Sequence, residues 1–180
     1  MTALSTDSAK LERLYRRYSY PEWLVAHSDI VGRIAVVLAH AHRAIGTDLD
    51  PRAVTLAGYL HDIGRTPLLA GDARDHAELS ALVLAAEGMA ELGELVRRHP
   101  VYTVLDPARR PRTLEEKLVY LADRRGGTSV MSLDERMDDV LRRRPEHAEA
   151  ITRAHPLARA IEQEVFAGLP FAPDELSSRL

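Results

Sequence analysis

Between Pro21 and Gly46 the apolar residues recur every three or four positions, which fits one face of a long helix and no strand. The inward face reads Trp23, His27, Ile30, Ile34, Val37 and Ala41, so a histidine lies on the buried stripe. Pro21 suits the first turn of this helix and Gly46 closes it after about Ile45. The same spacing returns in Leu56, Ala57 and Leu60, where it runs into His61-Asp62-Ile63-Gly64. Apolar residues make up 46% of the chain and aromatics only 5%, a balance of close-packed helices rather than of sheets. The expected fold is all-α, one helical domain of roughly seven to nine helices.

The remaining elements follow from their punctuation. Ser8 to Tyr18 reads as a short charged helix with Leu11 and Leu14 as its contacts. Asp50-Pro51 is a capping carboxylate followed by a residue pre-set for the first turn. The helix it opens ends at the His61-Asp62 pair, with Gly64 read as a left-handed stop. Thr66 to Asp75 is a loop, and Asp75 or a near neighbour caps an almost wholly apolar helix from His76 to about Gly88. Met89 to Arg98 is a further helix, stopped at His99-Pro100. Residues Val101 to Arg112 show no periodicity and are expected to be loop. Thr113 with Glu116, and Ser132 with Glu135, are capping-box pairs that open two more helices. The last helix spans Pro145 to Gly168 with a kink at His155-Pro156, and the tail after Pro170 is expected to be loosely held. The division expected is 1–20 for an N-terminal helix, 21–144 for the core and 145–180 for the C-terminal helix and tail, with no linker to a second domain.

Charge and composition exclude several classes. A net charge of −3 argues against nucleic acid as partner. The absence of cysteine removes disulfides, thiolate metal sites and thiol nucleophiles. Residues 1–10 (MTALSTDSAK) have neither the basic start nor the apolar core of a signal peptide, and no apolar run approaches the ~18 residues of a membrane span. A cytoplasmic protein with no membrane partner is expected. Homo-oligomerisation stays open.

Six residues share one property: His27, His61, Asp62, His76, His99 and Asp123 are hard-metal ligands on a buried stripe or at a helix end. Side chains at helix ends can converge without burying uncapped backbone. Four His and two Asp suit two cations about 3.5–4 Å apart, bridged by one carboxylate. His27, His61, Asp62 and Asp123 would hold the first. His76 and His99, with Asp62 as the bridge, would hold the second. Asp75 is the alternative to His76. Iron or manganese suits this set best, and zinc, cobalt, nickel or magnesium fits it as well.

The ordered pattern His27…His61-Asp62…Asp123 resembles the HD superfamily of metal-dependent phosphohydrolases. So do the contexts Trp23-Leu-Val-Ala-His27-Ser28, His61-Asp62-Ile63-Gly64 and Lys117-Leu-Val-Tyr-Leu-Ala-Asp123. The similarity runs from about Glu22 to Arg144. His76 and His99 resemble the extra ligands of the bimetallic branch, which includes symmetrical dinucleoside-tetraphosphate hydrolases, cyclic-dinucleotide phosphodiesterases and di-iron oxygenases. Arg65 stands where many members carry lysine, and His99 precedes proline where many have a second histidine. The Gly-Tyr-Pro run of the cyclic-dinucleotide branch is absent. The resemblance implies hydrolysis of a phosphate ester or anhydride in a small, nucleotide-like substrate, with Asp62 catalytic and a hydroxide between the cations. A di-iron oxygenase and a non-catalytic nucleotide sensor are the competing readings. Arg65, Arg109, Arg110, Arg112 and Arg124 are the candidate phosphate-binding residues. Lys117 is read as a helix-start packing or salt-bridge residue, and His40 and His42 as surface or structural residues.

Overall fold

The computed structural model describes residues 2–180, with side chains from Asp7 onward. Eight α-helices occur among them: α1 (Thr2–Arg17), α2 (Glu22–Ala44), α3 (Pro51–Leu60), α4 (His76–Ala86), α5 (Gly93–Arg97), α6 (Leu114–Arg125), α7 (Leu133–Arg143) and α8 (Ala148–Phe166). Short 3₁₀ segments join them, and no strand is present among the described residues beyond one isolated bridge, Gly126 to Val130. The all-α single domain is as expected.

The core is built where α2, α3 and α6 meet. Leu38, Val54, Leu60, Leu118 and Leu121 are fully buried there. Gly58 allows α2 and α3 to touch: a Cβ on it would stand 2.7 Å from Ala35 Cβ and 3.2 Å from Gly32 Cα. This close crossing sets the end of α3 against the first half of α2, where His27 lies. A second cluster, with Tyr120, Leu133, Met137, Ile151 and Ala154, fastens α7 and α8 to the outer face of α6. Local signals explain the helix starts. Asp50 accepts from Arg52 N and Ala53 N, and Thr113 and Ser132 form complete capping boxes with Glu116 and Glu135.

Several expectations are corrected. The buried face of α2 includes Leu24, Ser28, Val31, Ile34, Ala35, Leu38 and His42; Ile34 lies on it as expected, His27, Ile30, Val37 and Ala41 are half-buried, and Trp23 is exposed. The buried surface is wider than one row because α2 packs on two neighbours, α3 and α6. His42 is the structural residue of the two alternatives expected for it, buried and bonded to Val165 O at 2.9 Å. By length and composition α2 could also cross a membrane, which the sequence reading had excluded; its apolar surface is what α3 and α6 cover. Gly64 is not left-handed. It lies in a 3₁₀ turn, Ile63–Arg65, and a Cβ there would meet His76 O at 2.1 Å and Ser80 N at 2.8 Å. Val101–Leu105 forms a 3₁₀ helix rather than loop. Pro156 is accommodated within α8. The tail is held: Leu176 and Phe171 are buried, and Pro173 O accepts from Arg125. Lys117 pairs with Glu164.

Candidate metal centre

The end of α3 supplies two side chains in succession. His61 is the C-cap residue and Asp62 follows it, both buried. His27 reaches them from α2 and Asp123 from the last turn of α6. His76 opens α4, fixed there because Asp75 caps that helix through Ala77 N at 2.8 Å. His99 stands just beyond α5, stopped by Pro100. All six sequence-predicted ligands converge.

Their geometry divides into two halves around Asp62. Its Oδ2 lies 3.6 Å from His61 Nε2 and 3.9 Å from His27 Nε2. Its Oδ1 lies 3.3 Å from His99 Nε2 and 3.5 Å from His76 Nε2. Within the first half, His27 Nε2 is 3.2 Å from His61 Nε2 and 3.3 Å from Asp123 Oδ1. Within the second, His76 Nε2 is 3.2 Å from His99 Nε2. Ligands about 2.1 Å from one small cation stand roughly 3–3.4 Å apart, and the shortest separations in each half, 3.2 and 3.3 Å, fall in that range.

The imidazoles are set for the same task. His61 Nδ1 lies 2.8 Å from Gly58 O and His99 Nδ1 lies 2.6 Å from Val96 O. A carbonyl only accepts, so both Nδ1 atoms carry the proton and both Nε2 lone pairs point inward. Burial lowers the His61 pKa to about 3 and that of His76 to about 4, which keeps both neutral. Burial also opposes ionisation of Asp62, but the Arg65 guanidinium holds it well below the usual carboxylate range. Asp123 is likewise held low against burial, by Arg124 first. Neutral imidazole lone pairs 3.2 Å apart beside ionised carboxylates form a donor set that a divalent cation satisfies. Asp75 is not at the centre: its carboxylate is used by Ala77 N and by the Tyr102 hydroxyl.

The family model of the HD domain matches residues 24–125, just over half of the chain, and spans His27, His61, Asp62 and Asp123. The chain belongs to the HD domain family. No curated protein and no solved structure matches it. HD domains are generally metal-dependent hydrolases, in keeping with the donor set described here.

The arginines of this HD domain separate into distinct groups. Arg65 donates from Nε to Asp62 Oδ1 at 2.8 Å and from Nη2 to His76 Nε2 at 2.9 Å. Arg124 is buried and pairs with Asp123. Arg109 is exposed and lies over the Tyr102 ring, 5.4 Å from its centroid. Arg112 turns back to Pro107 O, and Arg110 is exposed with its carbonyl held by Arg98. Two residues at the centre escaped the sequence reading. Arg136 of α7 approaches Asp123 Oδ1 at 3.7 Å and donates to Asp123 O at 3.4 Å. Ser80 of α4 accepts from Gly64 N at 2.9 Å and donates to His76 O at 2.9 Å, which ties α4 to the turn after Asp62. Arg136 has no local signal in the sequence, and Ser80 is marked only as a hydroxyl on an otherwise apolar helix.

Proposed function

We propose that this HD domain is a two-cation phosphohydrolase that cleaves a phosphomonoester, phosphodiester or phosphoanhydride of a small, nucleotide-like substrate. The observation that carries the reading is the division of Asp62, one oxygen toward His27 and His61 and the other toward His76 and His99. His27, His61, Asp62 and Asp123 would hold the first divalent ion, and Asp62, His76 and His99 the second. Divalent ions held there would supply polarisation of phosphoryl oxygens and a water whose pKa falls from 15.7 to ~7.

The chain's own residues account for the rest. The carbonyls of Gly58 and Val96 fix the tautomers of His61 and His99. Arg124 and Arg136 orient Asp123. Asp62, ionised and shared between the two positions, is the catalytic carboxylate and would orient the attacking water by accepting its hydrogen bond. Arg65, with 39% of its side chain exposed, stands at the solvent side of the buried ligands and grips a non-reacting phosphoryl oxygen. Three guanidinium groups (Arg65, Arg124, Arg136) face three carboxylates (Asp62, Asp123 and, 3.1 Å from Arg136, Asp139), so the centre has no negative excess even before a cation is added. Such a site favours an anionic substrate. The nucleotide-like character rests on the family resemblance.

The test is phosphate release by the manganese-loaded protein from p-nitrophenyl phosphate, a nucleotide panel and dinucleoside polyphosphates. Release is expected, with Asp62→Ala retaining less than a few per cent while its helical circular dichroism survives. Silence across the panel would refute the proposal. Turnover that consumes dioxygen and stops anaerobically would replace it with the di-iron oxygenase reading.

A further inference from the structure

Arg65 holds a position that gripping substrate does not explain. Its guanidinium bonds to two of the three groups that would hold the second cation, Asp62 Oδ1 and His76 Nε2. Guanidinium has no acceptor and stays charged, so His76 Nε2 must be the acceptor. The third group, His99, also presents a lone pair, 3.2 Å from the same His76 nitrogen. An imidazole nitrogen has one lone pair. It serves Arg65 or a metal ion, never both, whereas each oxygen of Asp62 has lone pairs to share.

The first half of the centre carries no such contact among the described residues. Arg124 and Arg136 approach Asp123 and neither bonds to His27 or His61. The Arg65 side chain also has a way out: it is 39% exposed, against 7% for Asp62 and 1% for His99.

We propose that Arg65 is an internal cation that closes the second metal position, competes with the divalent ion for His76, and is turned outward when that ion enters. The outward guanidinium is then free for the substrate's phosphoryl oxygens, so metal loading and substrate grip are coupled through one side chain. This inference rests on the two-cation reading above. It makes Arg65 a positioning residue with two stations, and it sets an order: the position with His27, His61 and Asp123 fills first. The second ion binds more weakly than its ligands alone would allow, by the worth of one charged hydrogen bond, about 10–10²-fold.

The test is calorimetric titration of metal-free protein with manganese, with elemental analysis after dialysis. The full chain, Arg65→Met, Arg65→Lys and His99→Ala are compared. The full chain is expected to show two steps, the weaker of which His99→Ala removes. Arg65→Met, which keeps the length and loses the donors, is expected to tighten the weaker step by ~10–10²-fold and leave the tighter step unchanged. Arg65→Lys should fall between. Unchanged steps in Arg65→Met, or a weaker second step, would overturn the competition and make Arg65 a simple buttress of Asp62. A single ion in every protein, Arg65→Met included, would remove the two-cation reading itself, an outcome distinct from the previous one.

Discussion

Replacing Gly64 by alanine should cost far more than the loss of a flexible turn. The new Cβ would stand 2.1 Å from His76 O, 2.8 Å from Ser80 N and 2.9 Å from Leu79 Cβ. Two of these atoms are backbone of α4, so no side chain can rotate aside. The turn and α4 must separate, and the 2.9 Å bond from Gly64 N to Ser80 Oγ lengthens or breaks. Overpacking costs about 1–3 kcal/mol and an unsatisfied buried N–H about 1–3 kcal/mol, together roughly 2–6 kcal/mol. His76 is the first residue of α4, so the separation also pulls its imidazole from Asp62 and lowers occupancy of the second metal position. Urea denaturation of metal-free Gly64→Ala and Gly64→Asn measures the cost, and metal analysis reads the second effect. Asparagine is the discriminating variant. It tolerates a left-handed backbone, so a left-handed stop would accept it at little cost. Close approach rejects asparagine and alanine alike. Gly64→Asn within about 1 kcal/mol of the parent protein would refute this reasoning.

Two other outcomes follow from the same centre. His61 and His76 titrate near 3 and 4 when folded and near 6.5 when unfolded, so the unfolded chain binds more protons between those values. Their full contribution is present above pH ~6.5 and is lost as pH falls toward 4; metal-free protein should melt about 5 °C or more lower at pH 5 than at pH 7, and an unchanged melting temperature would show the imidazoles are not buried neutral. Arg65→Ala should lower kcat/KM by ~10–10² without loss of bound metal or thermal stability, and steady-state kinetics beside metal analysis would expose a structural role if the metal is lost.

Local signals were the legible part of this fold. The caps at Asp50, Thr113 and Ser132 act within three residues of their partners, so sequence order alone reveals them. The six ligand candidates were legible as His and Asp on a buried stripe or at helix ends, since side chains at such ends converge without burying uncapped backbone. Where one residue answers to several distant neighbours, the sequence is silent. Gly64 signals an αL stop by its type, and only the approach of α4, twelve or more residues later, shows that it serves close packing. Leu24 replaces Trp23 on the core face of α2 because two helices, not one, cover it. Phe171 and Leu176 carry no period, yet they dock on the core and fasten the tail. Arg136 meets Asp123 across thirteen residues and a turn, a contact that only the packing of α7 creates.

The central claim is that Asp62 joins two cation positions, and counting manganese by native mass spectrometry tests it most directly. The full chain should carry about two ions, His99→Ala about one, and Asp62→Ala neither in stable form. One ion in the full chain, or two retained by Asp62→Ala, would contradict the account.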